Sequence, residues 1–156
     1  MPSVAEGDPC PPFDLPEDGE GRASLSGLAG APFVLFVYPK ADTSGCTLES
    51  GDFSRLSPDF AALGIPVIGV SPDPLAALQT FRSKHGLTVR LASDVDRALL
   101  DPLGVWVEKS MYGKTYMGAE RTTLLVDAGG RIARIWPKVK VPVHAAEVLE
   151  AARALS

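Results

Sequence analysis

Cysteine is scarce in this chain: 156 residues hold two, Cys10 and Cys46. That is too few for a disulfide-rich secreted scaffold or for the usual cysteine-rich structural zinc site, so the thiols are either inert or reactive. Histidine is equally scarce. His85 and His144 both fall near expected helix ends, where capping and the helix dipole account for them without a ligand or base role. Positive charge is not in excess, since 15 Lys and Arg against 19 Asp and Glu leave a net charge of −4. Binding driven by nucleic-acid phosphates or anionic lipid is therefore disfavoured. The longest strongly apolar run, residues 33–38, is far shorter than the ~20 residues that cross a bilayer. The first eight residues, Met1-Pro2-Ser3-Val4-Ala5-Glu6-Gly7-Asp8, lack the basic-then-apolar order of a secretion signal. These absences predict a soluble, cytoplasmic protein with no membrane or nucleic-acid partner.

What is present suits one compact domain, residues 1–156. Fourteen prolines and 15 glycines make it turn-rich, yet short of the share of roughly 25–30% that marks low-complexity disorder. Pro9, Pro11, Pro12 and Pro16 forbid a helix near the start, and Glu17-Asp18-Gly19-Glu20-Gly21 reads as the turn of a covering N-terminal β-hairpin. Phe33-Val34-Leu35-Phe36-Val37-Tyr38 has the continuous apolar character of a central strand buried on both faces, stopped by Pro39.

A helical pattern over 44–63 follows, divided at Ser57-Pro58 with Ser57 as a cap, and 65–70 supplies a second buried strand. Strand, helix and strand in this order predict a right-handed βαβ unit with parallel strands. Further elements are a helix over 74–85 stopped by Gly86, a strand over 89–92, a short helix over 96–103 and an ordered surface loop over 104–118. A hairpin over 121–136 turning at Asp127-Ala128-Gly129-Gly130 and a helix over 144–154 complete the chain. The order predicts an α/β fold, a mixed sheet with helices on both faces. Trp106 and Trp136 read as packing residues.

The most informative segment is Tyr38-Pro39-Lys40-Ala41-Asp42-Thr43-Ser44-Gly45-Cys46. It places a thiol in the first turn of a helix that leaves a buried central strand. Unpaired backbone N–H groups and the positive end of the helix dipole favour the thiolate there, which is the nucleophilic form of cysteine. Thr43, three residues earlier, brings a hydroxyl that both accepts and donates hydrogen bonds, suited to orienting an oxygen-containing substrate for in-line attack. Pro39 offers a rigid ring without an N–H, able to shield the sulfur.

The spacing Pro39-x-x-x-Thr43-x-x-Cys46 resembles the active-site motif of the peroxiredoxins, thiol peroxidases that use no metal or haem. Phe36-Val37-Tyr38-Pro39-Lys40, Gly45-Cys46-Thr47-Leu48-Glu49, Trp106 with Glu108-Lys109, Met111-Tyr112-Gly113-Lys114, Tyr116-Met117-Gly118, and Trp136 with Val139-Lys140-Val141 and His144 resemble the Q-type, or bacterioferritin comigratory protein, branch. The resemblance implies a thioredoxin-like fold. It also implies that Arg121, in Glu120-Arg121-Thr122-Thr123, is the arginine that stabilises the thiolate and the charge developing on the peroxide oxygens. Cys46 would attack hydrogen peroxide or an organic hydroperoxide and become a sulfenic acid.

Many members of that branch carry a second, resolving cysteine five residues after the first or in the following helix. Here the first position is Gly51, and residues 74–85 contain no cysteine. Cys10 is read as a small buried residue, with a resolving role as the alternative. The expectation is a one-cysteine cycle, with no cofactor, in which thioredoxin or glutaredoxin with glutathione reduces Cys46, and a monomer as in much of the branch. A non-enzymatic redox-sensing or chaperone module built on Cys46 is the rival reading. A thioredoxin-type disulfide reductase fails because residues 43 and 49, which flank Cys46 at Cys-x-x-Cys spacing, are Thr43 and Glu49.

Overall fold

The computed structural model describes residues 3–19 and 21–155. Met1, Pro2, Ser156, the Glu20 of the expected hairpin turn and the side chain of Met111 lie outside the description. The central sheet has the order β5-β4-β3-β8-β9, formed by Arg90–Ser93, Val67–Ser71, Phe33–Val37, Thr122–Val126 and Ile132–Trp136 respectively. β3, β4 and β5 run parallel, and β8 and β9 add antiparallel beyond β3, with Val34 opposite Val67 on one side and Leu125 on the other. All five residues of β3, β4 and β8 are buried; β3 is accordingly apolar throughout and β4 nearly so, whereas β8 buries Thr122 and Thr123 as well.

Alternation along β3 sorts the core into two layers. Val34, Phe36 and Tyr38 face one side, where they pack with α2 (Ser44–Arg55), α3 (Ser57–Ala62), α4 (Leu75–His85) and α6 (His144–Leu155) through Phe53, Phe60, Leu78, Phe81 and Val148. Phe33, Leu35 and Val37 face the other, covered by α5 (Leu100–Leu103), the short α1 (Leu25–Leu28) and the N-terminal hairpin β1 (Asp14–Pro16) and β2 (Arg22–Ser24). Helices thus lie on both faces as expected, with the four longer ones on one. Gly69 of β4 makes this possible. A Cβ there would stand 2.7 Å from Phe36 Cζ, so only glycine admits the stack in which Phe36 lies 4.6 Å from Phe53.

Two arginines fasten the N-terminal hairpin to this scaffold. Arg90 grips Glu17 at 2.7 and 3.0 Å. Arg82 of α4 forks onto the buried Asp18 carboxylate at 2.5 and 3.0 Å and donates to the Leu87 and Val89 carbonyls, each at 2.7 Å.

Four sequence expectations are corrected. Residues 104–118 are not a loop: β6 (Trp106–Met111) and β7 (Lys114–Ala119) form an antiparallel hairpin around Tyr112 and Gly113, both at positive φ (53° and 76°). Only the last turn of 96–103 is helical, because Arg97 takes a positive φ of 58° and Asp94 accepts the Ala98, Leu99 and Leu100 N–H groups at 2.8–3.0 Å. Ser57 is the first helical residue of α3 rather than its cap, which is Leu56. α1 was not anticipated. Ser24 caps it by accepting the Gly27 N–H at 3.0 Å.

Candidate active site

β3 delivers the chain through Tyr38 and Pro39 to a loop that turns into α2, and Cys46 is the third residue of that helix. The Thr47 N–H is the first to bond back into the ladder, reaching Thr43 O at 2.8 Å. The N–H groups of Ser44, Gly45 and Cys46 therefore precede the ladder and point their partial positive charge at the sulfur's surroundings. α2 buries Cys46, Glu49, Ser50 and Phe53, the three- and four-residue spacing of one helix face. Cys46 is 0% exposed.

Arg121, immediately before β8, brings its guanidinium to this face. Nη2 donates to Cys46 Sγ at 3.4 Å and Nη1 to Glu49 Oε1 at 2.6 Å. Gly45 leaves the room: a Cβ there would sit 3.1 Å from Arg121 Nη2. Burial works against the arginine's charge, but Glu49 and Cys46 outweigh it and raise its pKa. Glu49 is 1% exposed, and its second carboxylate oxygen has no hydrogen-bond partner among the described residues. Burial pushes Glu49 up to about 7, against the pull of Arg121. Lys109 of β6 is a second, half-buried cation in the field of the site; burial and the Arg121 charge lower its pKa.

Thr43 caps α2 by position but not by side chain; its hydroxyl proton goes to Lys40 O at 2.8 Å, which leaves the oxygen's lone pairs as acceptors. Pro39 is half-buried at the end of β3, and Thr43 is exposed at the rim. The structure thus places Cys46 and Arg121 in contact, with Thr43 and Pro39 on the loop that leads from β3 into α2.

Cys10 lies elsewhere. Its side chain belongs to the core layer opposite that of Cys46, and its N–H donates to Gly130 O at 2.9 Å in the β8–β9 turn, at the N-terminal end of β3. Burial pushes the Cys10 thiol up to about 11. The central sheet stands between the two sulfurs.

Glu49 was missed as a site residue at sequence level. The available signal was a carboxylate on an otherwise apolar helix face, three residues after the cysteine. His144 is also corrected. It stands at the start of α6, where the dipole disfavours a charge, and it is buried, hydrogen-bonded to Thr123 Oγ1 at 2.8 Å and set edge-on to Phe53 and Trp136. Burial, with Arg121 nearby, lowers it from 6.5 to about 4. The folded state thus binds fewer protons than the unfolded one between these values. His144's contribution is intact above pH 6.5 and is lost as pH falls toward 4, where it amounts to about 3 kcal/mol. Glu49, raised to about 7, works in the opposite sense over the same range, so the test is a difference: urea melts are expected to show wild type losing stability relative to His144→Phe from pH 7 to pH 4.

A buried cysteine bound by an arginine at a helix N-terminus, off the central strand of a mixed α/β sheet, has the makings of an activated thiol nucleophile, the group on which thiol-based redox enzymes are built. The chain belongs to the AhpC/TSA family, whose model matches residues 6–135. Its relatives are peroxiredoxins of the Bcp and Q type, thiol-dependent peroxidases with a thioredoxin-like fold. The putative peroxiredoxin bcp of Coxiella burnetii is 42% identical over 147 residues, 94% of this chain and 97% of that one. A cysteine-to-serine variant of peroxiredoxin Q from Xylella fastidiosa superposes with a TM-score of 0.91 at 35% identity, covering 97% and 96% of the two chains. The bacterioferritin comigratory protein of Xanthomonas campestris, solved as trapped intermediate and ligand complexes bearing on its alkyl peroxide reduction activity, gives 0.85 at 39% identity, with 91% and 90% covered.

Proposed function

We propose that this single domain reduces hydrogen peroxide and organic hydroperoxides through Cys46, in a one-cysteine cycle completed by an external thiol. The contact of Arg121 with both Cys46 and Glu49 carries the reading. The Cys46 thiolate gives its electron pair to the terminal peroxide oxygen and the O–O bond breaks. The departing oxygen takes a proton and leaves as water or alcohol, and Cys46 is left as the sulfenic acid. Arg121 and the first-turn N–H groups stabilise the charge shifting along the two oxygens, and the Thr43 hydroxyl accepts the peroxide O–H. Pro39 shields the sulfur beside them. An external thiol then attacks Sγ, expelling the hydroxyl as water, and a second thiol releases Cys46 from the mixed disulfide.

The alkyl peroxide reduction of the Xanthomonas relative supports organic hydroperoxides as substrates. The separation of Cys10 from Cys46 by the sheet supports external rather than internal resolution. We further assign a monomer working in the cytoplasm, with thioredoxin or glutaredoxin and glutathione as the reductant. Among the described residues no helix is long and apolar enough to cross a membrane.

The test is to treat reduced enzyme with one equivalent of peroxide in the presence of dimedone and to map the adduct by mass spectrometry. The expected result is a single dimedone adduct on Cys46, no Cys10–Cys46 disulfide when dimedone is left out, and continued peroxide consumption by Cys10→Ser with thioredoxin or glutaredoxin. A disulfide between the two cysteines defeats the one-cysteine cycle. An unmodified Cys46 defeats the peroxidase reading.

A further inference from the structure

The loop between β3 and α2 is tied down at three successive residues. The Ala41 N–H donates to Asp73 Oδ2 at 2.7 Å, and Thr43 Oγ1 donates to Lys40 O at 2.8 Å. Between them, Asp42 accepts from Lys84 Nζ at 2.8 Å and hydrogen-bonds His85 Nε2 at 2.7 Å. His85 and Lys84 together hold the Asp42 carboxyl below its ordinary range. Asp42 makes these contacts from a left-handed backbone conformation, φ 63°, which few non-glycine residues adopt.

Lys84 and His85 end α4, and the His85 ring stands edge-on to Phe81 at 5.6 Å. Phe81 in turn packs beside Tyr38 at 6.0 Å, where the loop begins. A helix that supplies none of the reacting groups thus grips the loop that carries Thr43 and leads to Cys46.

The two half-reactions make opposite demands on this loop. Attack on peroxide uses Thr43, Arg121 and the first-turn N–H groups in their closed arrangement. An incoming thiol must reach a sulfur that is 0% exposed, on the line opposite the departing oxygen, so the loop and the first turn of α2 must move aside.

We propose that Asp42, with Lys84 and His85, is a positioning latch on this loop, one that favours oxidation of Cys46 and restrains its reduction by an external thiol. The latch rests on the assignment of Cys46 as the peroxide-reactive residue. Asp42, Lys84 and His85 touch no reacting atom; they act through the loop.

Single-turnover kinetics on the full chain test it. Asp42→Asn keeps a residue that tolerates the left-handed conformation and removes the charge. The double variant Lys84→Met/His85→Phe removes the latch from the other side. Each is expected to slow oxidation by hydrogen peroxide and to speed reduction of the pre-oxidised enzyme by dithiothreitol, both by about threefold to fivefold, the scale of a partly exposed ion pair with a hydrogen bond beside it. Combining the three substitutions is expected to add little more, because they remove one interaction. Rates that stay unchanged, or that fall together alongside a lowered Tm, overturn the latch and reduce these residues to a structural role. Failure of the underlying peroxidase reading looks different, since wild-type Cys46 would then not react with peroxide at all.

Discussion

Replacing Arg121 with Gln lowers the rate constant for oxidation of Cys46 by hydrogen peroxide by about 10²–10³-fold, the usual scale for losing one preorganised charge-stabilising donor in a buried site. Two losses coincide. The sulfur loses the donor at 3.4 Å, and Glu49 loses the only partner its carboxylate has among the described residues. Burial already pushes Glu49 up to about 7 with the guanidinium present; without it, the buried carboxyl stays protonated through neutral pH. Arg121→Lys separates charge from geometry. An ammonium supplies the cation but lacks the planar fork that serves sulfur and carboxylate together, so its rate falls between those of the wild type and the Gln variant. Stopped-flow single-turnover measurements give the three values. A Gln variant within tenfold of the wild type removes Arg121 from the charge-stabilising role.

The second large effect is on stability. Arg82→Met strands the Asp18 carboxylate, 4% exposed, and strips two carbonyls of their donor. Removing one member of a buried pair commonly costs 3–5 kcal/mol; with Arg82 itself one-third exposed, we expect about 3 kcal/mol and a fall in Tm on the order of 10 °C. Asp18→Asn in the same chain removes the stranded charge and is expected to restore part of the loss. If the double variant melts no higher than Arg82→Met alone, the penalty lies in the lost carbonyl contacts rather than in the buried charge.

The fold was legible where one physical signal dominated. β3 and β4 declared themselves because cover on both faces leaves them almost wholly apolar, and α4 because Gly86 closes it in the left-handed conformation. The β6–β7 hairpin was illegible for the opposite reason. Its strands stand largely in water, with the first four residues of β7 exposed, so no two-residue hydrophobic period marks them; the remaining clue was the pair Tyr112-Gly113 at the turn. At the site, motif spacing and a family resemblance led to Cys46, Thr43, Pro39 and Arg121. Glu49 escaped because a carboxylate is ordinarily assigned to the wet side of a helix, and only the approach of Arg121 from a strand more than seventy residues away makes its burial tolerable. Which side of the sheet holds Cys10 was equally out of reach, since strand alternation orders a strand's own side chains but not a segment that meets the sheet edge outside any strand, through an isolated bridge at Pro9 and a few neighbouring backbone bonds.

That partition of the thiols by the sheet turns the protein into its own two-channel recorder. Cys46 sits behind a short loop and one helical turn, so the speed at which an alkylating reagent reaches it measures how often that small unit opens. Cys10, 3% exposed, lies within the N-terminal segment on the far layer, held to the β8–β9 turn by its N–H bond to Gly130 O, and becomes available when that segment lifts. One labelling time course, read at both cysteines by mass, therefore separates the motion of the loop and first turn around Cys46 from the lifting of the N-terminal segment on the opposite face.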